Sequence, residues 1–392
     1  MDTAVWWWIV PVCLLPVFFA MGWFAARVDM KTVLKQAKTV PSDFYAGVDA
    51  LVDKNTDVAV RAFGDVVAKQ EGSIESYELA VSMGKLYRNR GENDKAIAMH
   101  QKLLESPDLI GEKRQRVLYE LGQDFQNAGL VDRAEQIFQD LKEGNAGKLA
   151  REVLLNIYQQ DRDWEQAIAI AQELSHDAQT YQFEIAQFYC ELAQASLFRS
   201  QFEQAKSHIQ KALDYNRKCT RANMLRGDVA MAENRFQDAI EAYSAIEQQN
   251  HAYLSMVGEK IFDAYHAQGQ AEQGLNVLIG YIRTFPQLDL IDVIYEKALI
   301  LRGESEAASL AADLVRVNPD LRGAYRLLGL QLSTLDPAWR ADVDMMRGVV
   351  GRYARKALMY RCRHCHFKSQ VFFWHCPACN KWETFTPNKI EV

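Results

Sequence analysis

An all-α solenoid of stacked helix pairs, led by one apolar helix and closed by a small cysteine-bound module, is the fold class that three features predict. A small residue recurs along most of the chain at intervals of 33 to 38 residues. The N-terminal end holds an uncharged run long enough to span a bilayer. The C-terminal end holds two CxxC pairs. Composition agrees: 49% hydrophobic and 24% charged residues suit a packed protein and exclude a disordered one. At 392 residues the chain is too long for one ordinary core, and its nine prolines are too scattered to mark a long linker.

Residues 5–26, VWWWIVPVCLLPVFFAMGWFAA, carry no charge. As a helix at about 1.5 Å per residue they reach about 33 Å, enough for a hydrocarbon core. Trp6, Trp7 and Trp8 stand at one end and Trp23 near the other, where indoles prefer the interface. A cleaved signal peptide is the alternative, but it requires a positive n-region, and the charged residue ahead of the run is Asp2. Arg27, Lys31, Lys35 and Lys38 follow against Asp29. The expectation is therefore a single-pass transmembrane anchor over 1–26, a basic juxtamembrane linker over 27–40, and the bulk of the chain on the cytoplasmic side.

The recurring small residues are Ala59, Ala96, Ala134, Ala167, Ala205, Ala239, Gly274, Ala307 and Ala341, each followed four positions later by a larger or apolar residue in most copies. Twelve residues earlier stand Gly47, Gly84, Gly122, Leu155, Ala193, Gly227 and Gly329, where two helices of a pair must approach. An aromatic follows three later at Tyr87, Phe125, Tyr158 and Tyr265, and Gly91, Gly129 and Gly269 fall at the turn within a pair. A period near 34 is the signature of tetratricopeptide helix pairs. The chain resembles that repeat family over 41–350, as about nine pairs, some degenerate. Such pairs cannot bury their faces alone, so they stack and present a surface to proteins or peptides. Lys85, Arg88, Gln123, Gln126, Asn156 and Gln159 are the positions expected to face a partner, or solvent.

In the tail, 351–392, Cys362 and Cys365 form one CxxC pair and Cys376 and Cys379 the other, with Pro377 inside the second. Two such turns place four thiolates around one tetrahedral ion. Two disulfides are the competing use of these cysteines; a reducing cytoplasm favours metal, which agrees with the topology. Cys13, Cys190 and Cys219 are scattered and read as small buried hydrophobes. His364, His366 and His375 lie beside the ligands and are expected on the module's surface. From Arg347 to Lys368 seven basic residues occur with no acid, in a chain of net charge −6. This basic neck either docks on the acidic body or meets an external anion.

No Walker loop, HExxH, GxSxG or kinase signature occurs. Ser175, His176 and Asp177 read as a helix-ending and capping cluster. Four thiolates also close a coordination sphere, so the site is expected to be structural and the chain no enzyme.

The segments FEIAQFYCELA (183–193), YRCRHC (360–365) and WHCPAC (374–379), with the anchor and the repeats, resemble the lipopolysaccharide assembly protein B family over essentially the full length. The resemblance implies a rubredoxin-type module packed against the repeats, with Cys362, Cys365, Cys376 and Cys379 as ligands of iron; zinc is the other metal such a site binds readily. It also implies an inner-membrane adaptor that regulates lipopolysaccharide synthesis by helping the membrane protease FtsH degrade the deacetylase LpxC. Other lipopolysaccharide assembly proteins, and a second copy of the chain, are further candidate partners. Rubredoxin knuckles carry glycine after the second cysteine, whereas His366 and Asn380 stand here, so the first knuckle is expected to be less regular. A membrane-tethered nucleic-acid-binding zinc ribbon is the alternative, with Phe372, Phe373 and Trp374 as stacking groups, although these aromatics read more simply as the core of the small module.

Overall fold

The computed structural model describes residues 19, 21–23, 42–69, 74–175, 180–317, 319, 321–332, 335–387 and 390–391. The expected anchor lies outside them except for Phe19 and Met21 to Trp23, which are helical, and the basic linker lies outside them entirely. Among the described residues no helix is long and apolar enough to cross a membrane. His176 and Asp177 are also outside, while Ser175 ends a helix with Oγ donating to the Ala171 carbonyl at 2.7 Å.

Nine helix pairs occur among the described residues. They are α1 (Ser42–Val52) with α2 (Thr56–Lys69), α3 (Ile74–Asn89) with α4 (Asn93–Leu104), and α5 (Gly111–Asn127) with α6 (Val131–Leu141). Next come α7 (Gly147–Asp161) with α8 (Trp164–Ser175), α9 (Gln182–Phe198) with α10 (Phe202–Tyr215), and α11 (Thr220–Ala232) with α12 (Phe236–Ser244). A short α13 (Ile246–Asn250) and a 3-10 turn (His251–Tyr253) interrupt the series before α14 (Leu254–Ala267) with α15 (Ala271–Thr284). The series ends with α16 (Ile291–Arg302) and α17 (Glu304–Val317), then α18 (Leu321–Gln331) and α19 (Pro337–Ala357). The last helix thus runs past residue 350. The chain divides into two compact units, residues 1–153 and 154–392.

The repeated small residues all fall on second helices, and Ala59, Ala96, Ala134, Ala167, Ala205, Ala239 and Ala307 are fully buried. The residue four later fills the space that the first helix leaves open. A Cβ on Gly47, Gly84, Gly122 or Gly227 would overlap Phe63, His100, Phe138 or Tyr243 respectively. Where the first helix instead carries Leu155, the residue at the facing repeat position shrinks to Ala171. Ala341 departs from the pattern and is exposed, because no further pair follows α19 among the described residues.

The turn inside the pairs is also periodic. Gly91, Gly129 and Gly269 have φ of 77°, 76° and 76°, and Lys54, Arg162, Ser200 and Asn234 adopt 57°, 58°, 58° and 60° at the equivalent positions. Each turn is closed by one bond across the helix end, such as Glu92 N–H to Tyr87 O at 2.9 Å or Asp163 N–H to Tyr158 O at 2.9 Å. Some second helices are then capped by a side chain: Asn55 Oδ1 accepts from the Val58 N–H at 3.4 Å and Asp163 Oδ1 from the Gln166 N–H at 3.2 Å.

In the first unit, two of the residues expected to face a partner are tied up between successive first helices. Lys85 and Arg88 on α3 pair with Glu120 on α5 at 2.6 and 2.8 Å, and Arg88 also reaches Asp124 at 2.7 Å. Buried Asp124 in turn holds the Nδ1 of buried His100.

The fully buried ring of Tyr243 lies against Gly227 and donates its hydroxyl to Asp228 at 2.6 Å, so it cannot retreat from an added methyl. Gly227→Ala is expected to destabilise the fold by about 1–3 kcal/mol through overpacking. Denaturant unfolding checks this; an unchanged midpoint would refute the close-approach role.

Candidate metal centre

After α19 the chain forms three short antiparallel strands in the order β2-β1-β3: β1 (Leu358–Arg361), β2 (Lys368–Ser369) and β3 (Ile390–Glu391). Tyr360 pairs with Ser369 and Arg361 with Lys368, so the first CxxC turn is the loop of the β1–β2 hairpin. The second turn is set by bridges between His375 and Trp382 and between Cys362 and Phe385.

The two turns have matching bonds. His366 N–H donates to Cys362 O at 3.0 Å and Cys362 N–H to Phe367 O at 2.9 Å; Asn380 N–H donates to Cys376 O and Cys376 N–H to Lys381 O, both at 2.9 Å. His366 and Asn380 both take left-handed backbone, φ 61° and 52°. The first knuckle is therefore as regular as the second, contrary to the expectation drawn from His366. The bonds on either side hold the conformation that glycine would adopt freely.

These turns bring Cys362, Cys365, Cys376 and Cys379 together, with all four sulfurs within 4.8 Å of one another. Cys362 Sγ is 3.8 Å from Cys379 Sγ, and Cys365 Sγ is 3.7 Å from Cys376 Sγ. A tetrahedral ion with bonds of about 2.3 Å separates its sulfurs by about 3.8 Å. The donor set therefore fits a tetrathiolate ion without rearrangement. Burial opposes ionisation of Cys362, but N–H groups of Cys365 and His364 and the Thr384 hydroxyl outweigh it and bring the thiol down to about 6. Burial and the adjoining thiols push Cys379 up to about 12, and burial also raises Cys376. An ion removes that opposition by replacing the protons.

The module's own core is small: Cys362, Cys376 and Phe385, with Tyr360, Phe372, Phe373 and Cys379 around them. It is completed by side chains of the second unit, most of them on first helices. Trp382, 6% exposed, sits edge-on to Trp164 and Phe188, each at 5.8 Å, and its Nε1 donates to Gln159 Oε1 on α7 at 3.2 Å. Trp374 stacks on Tyr253 at 5.2 Å and 7°, and the Arg221 guanidinium of α11 lies over the Trp374 ring at 5.4 Å. Gln187 of α9 donates to Glu383 Oε1 at 2.7 Å.

These contacts decide three expectations. Phe372, Phe373 and Trp374 are engaged within the protein: Phe372 edge-on to Tyr360 at 5.6 Å, Phe373 edge-on to Phe385 at 5.7 Å, and Trp374 on Tyr253. Gln159 meets the module instead of a partner. His364 and His366 are exposed, but His375 is half-buried and stacks on Trp382 at 4.5 Å, with burial lowering its pKa. Sequence reasoning missed Trp164, Gln187, Phe188, Arg221, Tyr253, Trp382 and Glu383. The available signal was polar Gln187 and Arg221 on faces that the repeat leaves open, yet 0% and 5% exposed here.

A rubredoxin metal-binding domain model matches residues 360–387, and tetratricopeptide repeat models match 79–113 and 190–253. Lipopolysaccharide assembly protein B of Escherichia coli K12 is 31% identical over 381 residues, covering 95% of this chain and 96% of that protein. The chain belongs to the lipopolysaccharide assembly protein B family. The Haemophilus influenzae Rd member is 30% identical over 386 residues, covering 95% and 96%. Among solved structures, the chain is similar to the C-terminal part of a TPR repeat-containing protein from Cytophaga hutchinsonii. That match has 14% identity and a TM-score of 0.37, covering 72% of this chain and 99% of that one.

Replacing Cys362 or Cys379 with Ser is expected to release the ion and loosen the tail, because a structural site of this kind contributes on the order of 10 kcal/mol to a small module. Elemental analysis of the purified double variant checks this; retained metal would sink the assignment. Burial holds the Glu383 carboxyl above its ordinary value of 4.5. Its contribution to docking is therefore greatest below 4.5 and is lost as pH climbs through the raised value. Glu383→Gln keeps an acceptor for Gln187 and is expected to raise thermal stability of the tail at pH 8 while changing little near pH 4. Tryptophan-fluorescence melts at the two pH values test this, and an equal loss at both would contradict it.

Proposed function

We propose that this chain is a non-enzymatic adaptor in lipopolysaccharide synthesis, anchored in the inner membrane by residues 1–26 with its repeats and metal module on the cytoplasmic side. The observation that carries the reading is the match, over 95% of the chain, to relatives named lipopolysaccharide assembly protein B. Helix-pair repeats supply binding surface. The four thiolates of Cys362, Cys365, Cys376 and Cys379 fill a tetrahedral sphere and serve a structural role, holding iron or zinc.

In this reading the client is the deacetylase LpxC, presented to the membrane protease FtsH, and other lipopolysaccharide assembly proteins share the surface. In the second unit that surface is composite, since the module covers Gln159, Phe188, Arg221 and Tyr253 on the first-helix side. The first unit adds an open groove of about 660 Å³ lined by residues including Gln115, Arg116, Tyr119 and Leu149. The anchor raises the local concentration of the adaptor at the protease.

Purified protease in a membrane mimic is expected to degrade the deacetylase faster when the chain is added, and to lose that gain with Cys376→Ser or with residues 1–26 removed. Equal degradation with and without the chain, while a control substrate is cleaved normally, would leave the adaptor reading without its mechanism.

A further inference from the structure

Beneath the docked module lies a second pair of cysteines that the metal centre does not use. Cys190, on α9, and Cys219, the residue before α11, are 0% and 1% exposed, with their sulfurs 3.8 Å apart. They belong to one packed cluster with Ala186, Ala222 and Leu225. Two polar side chains connect them to the module. Gln187 Nε2 lies 3.7 Å from Cys219 Sγ and also donates to Glu383 Oε1 at 2.7 Å. Arg221, two residues beyond Cys219, places its guanidinium over Trp374.

We propose that Cys190 and Cys219 are an oxidisable dithiol site gated by the metal module: docking keeps the pair as sealed thiols, and lifting the module lets a small-molecule disulfide link them. Cys219 stands at the N-terminal end of α11, whereas Cys190 lies inside α9. The contact with Cys190 and the Ala222 N–H lower the Cys219 thiol, and that contact and burial push Cys190 up, so Cys219 is the attacking sulfur. Its thiolate attacks one sulfur of an oxidised glutathione. The glutathione S–S bond breaks, a mixed disulfide forms at Cys219, and one glutathione leaves, taking up the proton that Cys219 released. Cys190 then attacks the Cys219 sulfur of the mixed disulfide, and the second glutathione leaves with the Cys190 proton. Two protein thiols and one glutathione disulfide become one protein disulfide and two glutathione thiols, with two electrons passing to the oxidant.

The link and the docked module oppose each other. Closing 3.8 Å to a bond of about 2.0 Å requires movement at Cys219, at the head of α11. A shift there disturbs the contact with Gln187 and the seat of Arg221, the two groups that receive Glu383 and Trp374. By linkage, whatever lifts the module favours the disulfide, and the disulfide disfavours re-docking.

The test treats the full chain in detergent, metal-loaded, with oxidised glutathione and quantifies the Cys190–Cys219 peptide by mass spectrometry, which separates it from links among the tail cysteines. The link is expected to form at least tenfold faster in Trp382→Ala than in wild type at equal metal content, and as fast in wild type stripped by a chelator. Cys190→Ser should give none. Far-UV circular dichroism is followed in parallel, and helix content should stay unchanged while the linked tail becomes more sensitive to protease. Equal rates in sealed and lifted protein would overturn the proposal, as would a link that forms only after helix content is lost. If Trp382→Ala fails to fold, the chelator arm decides alone.

Discussion

The seat of Trp382 is the contact on which the tail's position depends. One indole meets Trp164, Phe188 and His375 with its ring and Gln159 with its N–H. Truncating such a buried ring costs about 3–5 kcal/mol. Its direction is set by the second knuckle, through the left-handed turn at Asn380 and the bridge from His375 to Trp382. The chain of causes runs from four thiolates to knuckle geometry, from there to one side chain, and through it to α7 and α9. A metal with no reacting position can thereby govern a surface well outside its own ligands.

Charge plays a different part in the first unit. Asp124 is fully buried and accepts from Arg88 while holding His100, and Glu120 is shared by Lys85 and Arg88. Burial opposes ionisation of Glu120, yet the Lys85 and Arg88 bonds lower its pKa below the ordinary range. Removing one partner from such a set leaves an uncompensated charge, which is costly, whereas a complete set permits a single register between α3 and α5. The polar face of these helices is thus partly an internal fastening.

Much of this was legible because close packing repeats. Each pair needs a small residue on the second helix and room on the first, so Ala59 to Ala307 and Gly47 to Gly227 mark the period, and the Leu155/Ala171 exchange keeps the summed volume. The turn was half legible: glycine announces a left-handed residue at 91, 129 and 269, but Lys54, Arg162, Ser200 and Asn234 do not. Their strain, of the order of 1 kcal/mol each, is held by the bond across the helix end and by packing on either side. His366 misled for the same reason. The four cysteines were legible because CxxC is a local geometry. The docking came from the family resemblance alone and its contacts were not legible, since Trp382 and Gln159 are 223 residues apart and Glu383 and Gln187 are 196 apart, and neither pair follows a period. The expected membrane segment rests on the sequence alone, because all but four of its residues lie outside those described.

The module and the second unit complete each other unequally. The module has a core of three buried residues and depends on its ion and on the repeats. The repeats have their own continuous cluster from Met224 to Leu314, onto which Phe372 and Trp374 are added. Loss of the ion should therefore dismantle the tail and leave the helices standing, and what disappears is the composite face. A partner that reads both components at once is then sensitive to the metal without touching it. That sensitivity follows from where Trp382 and Trp374 lie, and a flexibly tethered ribbon would not possess it.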